Sequence, residues 1–332
     1  MDQPQREDSG GLADAIDREQ LGRLVASRHP PQPTSTLPRR SKTKWVFLTL
    51  ALTVGLLALV SGLFQSFRTR SGVAPPQTAA SNPQSSTRPP YQATIEHDMV
   101  LIQGGTFQMG RDDGPDNEKP AHSESVKPFY IDKTEVTNAQ YAEFVKAVGY
   151  PAPTNDEGEK PYWKAWDHDK PPEGQEDWPV RNVSLKEAVA YATWLSHRDG
   201  VEYRLPTEQE WEYVARNGGS TKLYPWGNEW KDGYANIDST SVSPVGSFKQ
   251  GATSAGVLDM IGNVWEWTSS RASLYPGSLL KIPDVQVEGG WPVARGGSYQ
   301  TSANRVSGTL RDWFPKILKH PTIGFRLARS DR

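Results

Sequence analysis

The chain contains no cysteine. That absence excludes disulfides, thiolate nucleophiles, CxxC redox pairs, iron–sulfur clusters and cysteine-ligated zinc or copper. A surplus of one charge sign is also missing. Lys+Arg total 37 against Asp+Glu 39, a formal net charge of −2. Such a balance gives no global attraction to nucleic acid, and no nucleic-acid partner is expected. Aliphatic helix-forming runs are few outside one segment. In their place stand 12 Trp and 29 Gly in a chain only 36% hydrophobic. A domain of that composition builds its core from large rings and turns rather than from long helices. The length, 332 residues, allows one large domain or two ordinary ones.

Four parts follow from composition. Residues 1–44 are polar and rich in Pro, Arg, Asp and Ser, and read as a disordered tail. A short helix around residues 12–21, offered to a partner, is the other reading. Residues 45–64 run WVFLTLALTVGLLALVSGLF, with no charge between Lys44 and Arg68. That is long enough to cross about 30 Å of hydrocarbon. It starts too far from Met1 for a signal peptide and shows no polar stripe, so a transmembrane helix is expected. Arg39, Arg40, Lys42 and Lys44 crowd its N-terminal side. The positive-inside rule then leaves the N-terminus in the cytoplasm and the rest outside. Residues 65–95 are Pro/Ser/Gln-rich and read as a spacer. Residues 96–330 hold eleven of the twelve tryptophans and form the globular part.

In that part three capping boxes mark helix starts: Thr137 to Gln140, Ser184 to Glu187, and Thr207 to Glu210. The helices should end at Gly149, Gly200 and Gly218-Gly219. Short β runs surround them, among them Val100-Leu101-Ile102, Phe129-Tyr130-Ile131 and Phe325-Arg326-Leu327. The expected class is α+β with much irregular structure. Gly104-Gly105 and Gly110 lack a following Lys-Ser/Thr and do not read as a phosphate loop. Arg204, Glu210, Glu212, Arg295 and Arg326 read as buried charge partners, and Trp211, Trp226, Trp265 and Trp267 as core rings. No Ser/His/Asp or paired-carboxylate pattern can be placed in one site.

Ordered blocks carry a resemblance. They include Gly104-Gly105-Thr106-Phe107-Gln108-Met109-Gly110, Glu135-Val136-Thr137-Asn138, Arg204-Leu205-Pro206-Thr207-Glu208-Gln209-Glu210-Trp211-Glu212 and Tyr224-Pro225-Trp226-Gly227. Later come Gly262-Asn263-Val264-Trp265-Glu266-Trp267, Arg295-Gly296-Gly297-Ser298-Tyr299 and Gly324-Phe325-Arg326. Across residues 97–328 the chain resembles the formylglycine-generating enzyme (sulfatase-modifying factor) family. The resemblance implies a variant of the C-type lectin fold with a substrate groove near the C-terminal segment. It also implies a bacterial inner or plasma membrane, where many anchored members sit.

The resemblance further implies metal sites. The two carboxylates of Asp259 and Glu266 and the carbonyls of Gly262 and Val264 match a family calcium site, and hard oxygens suit Ca²⁺. The competing reading has Asp259 capping a turn and Glu266 pairing with an arginine. A second calcium site would use Asn236 and the carbonyl of Ile237, with only Asp238 nearby. The family's catalytic copper(I) sits between two cysteines five residues apart. Counting from the Gly-Gly-Ser block places those positions at Thr301 and Val306. Neither offers a thiolate, so no copper is expected and formylglycine formation by the family mechanism is excluded. Iron-dependent relatives use three histidines; the six here show no i, i+4 pair on an expected helix.

Recognition is the leading function by elimination. Arg311, Trp313, Phe314 and Lys316 fall where the family lines its groove and would offer aromatic faces and positive charge to a protein or peptide ligand. Inward packing of Trp313 and Phe314 stays open. The rival is a metal-dependent oxidative enzyme with a cysteine-independent site.

Overall fold

The computed structural model describes residues 97–153, 166–282 and 290–331. The tail, the membrane-spanning segment and the spacer expected in residues 1–95 lie outside these residues. No described helix is long and apolar enough to cross a membrane.

Three helices form where the capping boxes place them: α1 (Asn138–Val148), α2 (Leu185–Asp199) and α3 (Glu208–Ala215). Each box closes reciprocally. In the first, Thr137 Oγ1 accepts the Gln140 N–H at 3.2 Å, and Gln140 Oε1 accepts the Thr137 N–H at 2.8 Å. Two otherwise orphaned donors are thereby satisfied at each start. Gly149 and Gly200 end α1 and α2 in left-handed geometry. The third helix stops earlier than the Gly218-Gly219 expectation. Arg216 leaves helical geometry, and left-handed Asn217, Gly218 and Gly219 turn the chain back so that both glycine N–H groups close on the Tyr213 carbonyl.

Among the described residues, nine strands make three small sheets. In the first, β1 (Met99–Ile102), β4 (Phe129–Asp132) and β9 (Ala328–Ser330) run in the order β1-β4-β9. β2 (Gly105–Met109) pairs antiparallel with β3 (His122–Val126). The third sheet orders β7 (Arg311–Trp313), β6 (Pro292–Arg295), β5 (Trp265–Arg271) and β8 (Ile323–Gly324). The expected strand Phe325-Arg326-Leu327 is instead the crossing between β8 and β9. Its backbone bonds to Val136 and Asp132 while Arg326 turns into the core.

The core is aromatic, as the composition requires. Tyr141, Phe144, Tyr191, Trp267 and Phe325 join in one cluster, with Tyr141 and Tyr191 stacked at 5.5 Å. Trp211 and Phe107 lie in a second. The charged residues read as buried partners do pair, although Arg204 is only half-buried. Glu212 holds Arg216 at 2.8 Å and also Arg295. Glu208 bridges Arg295 at 3.3 Å and Arg311 at 2.6 Å. Arg204 holds Glu210 at 2.7 Å. This ladder ties α3 to β6 and β7 where little regular structure exists to do so.

Candidate functional site

The loop before β5 carries Asp259, Gly262 and Val264, and β5 carries Glu266. The turn of that loop needs left-handed backbone at Asp259 (φ 57°), Gly262 (φ 79°) and Asn263 (φ 57°). At Gly262 a Cβ would meet the Asn236 carbonyl oxygen at 2.3 Å. Glycine is therefore required there for space as well as for φ. Asn263 closes the turn. Its Nδ2 donates to Glu135 Oε1 at 2.9 Å, and its Oδ1 accepts the Asn236 Nδ2 and the Ser243 N–H, both at 3.0 Å.

Glu266 points into the protein, fully buried. Arg326 grips it twice, at 2.7 Å to Oε2 and 2.8 Å to Oε1, and Trp211 Nε1 adds a bond of 2.8 Å to Oε2. Both oxygens are therefore committed, in the arginine pairing that the sequence left open. Asp259 caps the neighbouring turn, its Oδ2 accepting the Gly246 N–H at 2.5 Å. Glu135 lies beside it, with Oε1 on Asn263 and Oε2 buried without a hydrogen-bond partner. Burial, then the charge of Asp259, pushes the Glu135 carboxyl well above its ordinary range. Burial likewise raises Asp259. Both oxygens of Glu266 are thus taken by Arg326 and Trp211, while Glu135 and Asp259 stand beside one another as buried carboxyls. Among the described residues no three His, Asp or Glu side chains converge as a metal cluster. Asn236 is turned inward, its Nδ2 shared between Asn263 and the Ser241 carbonyl. Asp238 accepts the Ala303 N–H at 2.9 Å, and Ile237 is half-buried beside it.

The positions matched to copper cysteines serve the fold. Thr301 Oγ1 accepts the Ser298 N–H at 2.9 Å, and its own N–H returns to the Ser298 carbonyl at 2.8 Å. Val306 is buried with Tyr224, Ala235, Ile261 and Leu310.

The proposed groove residues divide. Arg311 is buried and does not face a groove. It makes two bonds to Glu208, at 2.6 and 3.0 Å, and stacks on the Tyr275 ring at 4.2 Å. Trp313 is also buried, against Ala272, Ile282 and Trp291. The reason is strand geometry: alternate residues of β7 share a face, and that face is covered. Phe314 stays half-buried, its ring 5.8 Å from Trp265 and 6.2 Å from Trp267. Lys316 is exposed. Trp211 and Trp267 are core rings, whereas Trp226 and Trp265 are only half-buried. Trp265 packs at once on the Val306 cluster and on the Phe314 side. Arg181 lies near this face, lowered to about 10 by burial, and donates to the Pro321 carbonyl at 3.4 Å. The sequence did not single out Glu135 or Trp265 as site residues. Each sits inside a block that also explains itself structurally, as helix entry and as strand. A cleft of about 630 Å³ opens elsewhere, lined by Glu124, Lys127, Arg204, Thr207, Glu210 and Ser330, and by no expected site residue.

The comparisons with known proteins agree with this framework. The chain is 30% identical over 308 residues to a hercynine oxygenase of Mycolicibacterium smegmatis, covering 80% of this chain and 68% of that one. It is 31% identical over 312 residues to a formylglycine-generating enzyme of Streptomyces coelicolor, covering 77% and 96%. In structure it resembles PvdO from Pseudomonas aeruginosa, with TM-score 0.59, 29% identity, and 70% and 94% of the two chains covered. The model of the sulfatase-modifying factor enzyme 1-like domain matches residues 84–331, and the chain belongs to that family.

Proposed function

We propose that this chain presents a sulfatase-modifying-factor-like domain outside the cytoplasm, on a single membrane helix, for recognition of a protein or peptide. It does not generate formylglycine. The observation that carries this reading is the use made of the two copper-cysteine positions. Thr301 is spent on a turn and Val306 on an apolar cluster, and the chain has no cysteine to stand in for them. Copper(I) needs soft thiolates, which no hydroxyl or isopropyl group replaces. A framework of buried ion pairs meanwhile keeps the fold without the chemistry. Calcium, held at the loop of Asp259, Gly262 and Val264, is part of that framework.

The recognition face is the half-buried pair Trp265 and Phe314 with exposed Lys316. Rings that are half covered keep their orientation and still offer apolar area, the usual anchors of an interface. The oxidative alternative draws on the hercynine oxygenase among the relatives. Its difficulty is the histidines. His97 bonds Asp132 and Tyr191, His122 the Pro120 carbonyl and His320 Thr322, each in a different part of the domain.

Two measurements on the purified full-length chain test the proposal. The first incubates it with O₂, copper(I) and a cysteine-containing sulfatase peptide, and looks by mass spectrometry for thiol-to-aldehyde conversion. None is expected; conversion would overturn the reading. The second is a metal inventory. Calcium without iron or copper agrees with recognition, and stoichiometric iron or copper establishes the oxidative alternative.

A further inference from the structure

Half of the large apolar side chains that the described domain leaves exposed stand at one end of the third sheet. The register sets that end. Arg271 of β5 lies opposite Pro292 of β6, and Val293 lies opposite Trp313 of β7. β5 and β7 therefore both run out there, into the segments 272–282 and 314–321. The first carries Leu274 and Leu279, 41% and 97% exposed, and the second carries Ile317, 62% exposed. Elsewhere among the described residues only Leu101, Val148 and Val189 are comparable.

Both tips are built alike. Leu280 packs on the cluster of Ala272, Ile282, Trp291 and Trp313, beside its exposed neighbour Leu279. Leu318 packs on the main aromatic cluster, beside exposed Ile317. A turn closes at each: the Ser278 N–H meets the Tyr275 carbonyl, and the Leu318 N–H meets the Pro315 carbonyl, both at 2.9 Å. One apolar residue of each pair is thus held in the protein and the next is held out in water, which is costly unless something covers it.

The charge around these tips has one sign. Neither segment contains Asp or Glu, while Lys281, Lys316 and Lys319 lie in them. Lys319 is taken by Glu187 at 2.8 Å. Lys281 and Lys316 are exposed and meet no carboxylate among the described residues. Asp284 and Glu288 follow in the sequence, outside the described residues.

Two kinds of occupant could cover protruding apolar tips. A protein would need a matching pocket for each, and its own anchors favour half-buried rings over a side chain standing clear of its neighbours. A bilayer interface needs no pocket, because acyl chains flow around what enters, and anionic headgroups answer the lysines beside it. The membrane helix proposed above would keep such a surface within reach. We propose that this end of the third sheet docks on an anionic lipid surface, with Leu279 and Ile317 entering the acyl boundary and Lys281 and Lys316 at the headgroups. The contact goes beyond the recognition face of Trp265 and Phe314, which it borders at Lys316.

The test uses the full-length chain with one cysteine introduced, Leu279→Cys, where no native thiol competes for the label. It carries an environment-sensitive fluorophore and is mixed with vesicles of phosphatidylcholine, with or without phosphatidylglycerol. With phosphatidylglycerol the label should shift to the blue and brighten at least about twofold, and a lipid-borne quencher should reach it. Ile317→Cys should behave alike, and Leu101→Cys, on β1 of another sheet, should stay in water. Leu279→Ser should weaken the signal from the Ile317 label. Lys281→Gln with Lys316→Gln should shift the docking equilibrium at least about tenfold toward the free state. Flotation of the chain with the vesicles separates the outcomes. A chain that floats with either lipid while its labels at 279 and 317 stay aqueous keeps the helix and overturns the inference, leaving a protein as the occupant. A chain that floats only with phosphatidylglycerol, with both labels shifted, supports docking and removes the helix. A chain that floats with neither overturns both. Equal shifts with and without phosphatidylglycerol, unaffected by the lysine changes, overturn the headgroup contact.

Discussion

Replacing Arg326 by Met tests the central ion pair. The substitution keeps the unbranched stem and removes five donors. Its cost can be worked from the contacts. Glu266 loses two bonds of 2.7 and 2.8 Å and is left fully buried with only Trp211 for company. Breaking a buried pair from one side costs about 3–5 kcal/mol, because a charge is left uncompensated. The Asp132 and Leu258 carbonyls lose their donors as well, at about 1 kcal/mol each. The total is roughly 5–7 kcal/mol, comparable to the whole stability of many domains. A domain this large shifts by about 2–4 °C per kcal/mol. The variant should therefore unfold at least about 10 °C lower, or fail to accumulate folded. The assay is thermal and urea unfolding followed by near-ultraviolet circular dichroism, which the buried tryptophans report. The double variant Glu266→Leu with Arg326→Met should cost less than the arginine change alone, since it removes the stranded charge. A shift below about 3 °C for Arg326→Met, or a double variant worse than the single, would refute the charge argument.

Other expectations follow from separate contacts. Ser184→Ala removes the capping box of α2, in which Ser184 Oγ and its own N–H both meet Glu187 Oε2; it should cost about 1–2 kcal/mol in urea unfolding. His97 is buried, and burial alone would lower it, but the charge and hydrogen bond of Asp132 leave it raised above 6.5. A group raised on folding gives stability that is complete below its unfolded value and is lost as pH climbs through its folded value. The unaltered chain should therefore lose stability as pH rises above about 6.5, and His97→Gln should flatten that limb; equal pH slopes in the two proteins would contradict it.

How much of this was readable beforehand depends on whether the signal was local. The helix starts were, because a capping box is written in four residues and asks nothing of the rest of the chain. The end of α3 was not. It falls before Asn217, which takes left-handed geometry just ahead of the two glycines that carry the sequence signal. The same holds for the segment 325–327. Its apolar residues read as a strand, but Arg326 is drawn inward by a partner sixty residues earlier. Arg311 and Trp313 looked like a ligand surface because arginine and tryptophan serve both interfaces and cores. Only the pairing of β7 with β6, which sets Arg311 opposite Arg295 with Glu208 between them, decides for the core.

The same distinction bears on the proposal that this domain keeps the family's fold without its copper chemistry. The buried ladder runs through Glu208, Glu212, Arg295 and Arg311, and the second pairing through Glu266 and Arg326. None of these groups touches Thr301 or Val306 through a hydrogen bond or ion pair in the described contacts. Thr301 answers only to its own turn and to the Asp238 N–H, and Val306 to an apolar cluster. A cysteine pair at those positions would carry no part of the framework, so its replacement costs little. The hydroxyl gains a turn bond, and the isopropyl group fills space beside Tyr224 and Leu310. Loss of a framework charge is different in kind, since each is held by partners that would be left buried and unanswered. The fold therefore leans on Glu266 and Arg326 in a way it does not lean on Thr301 and Val306. The blocks that identify the family report its architecture, and its activity has to be read from two positions outside them.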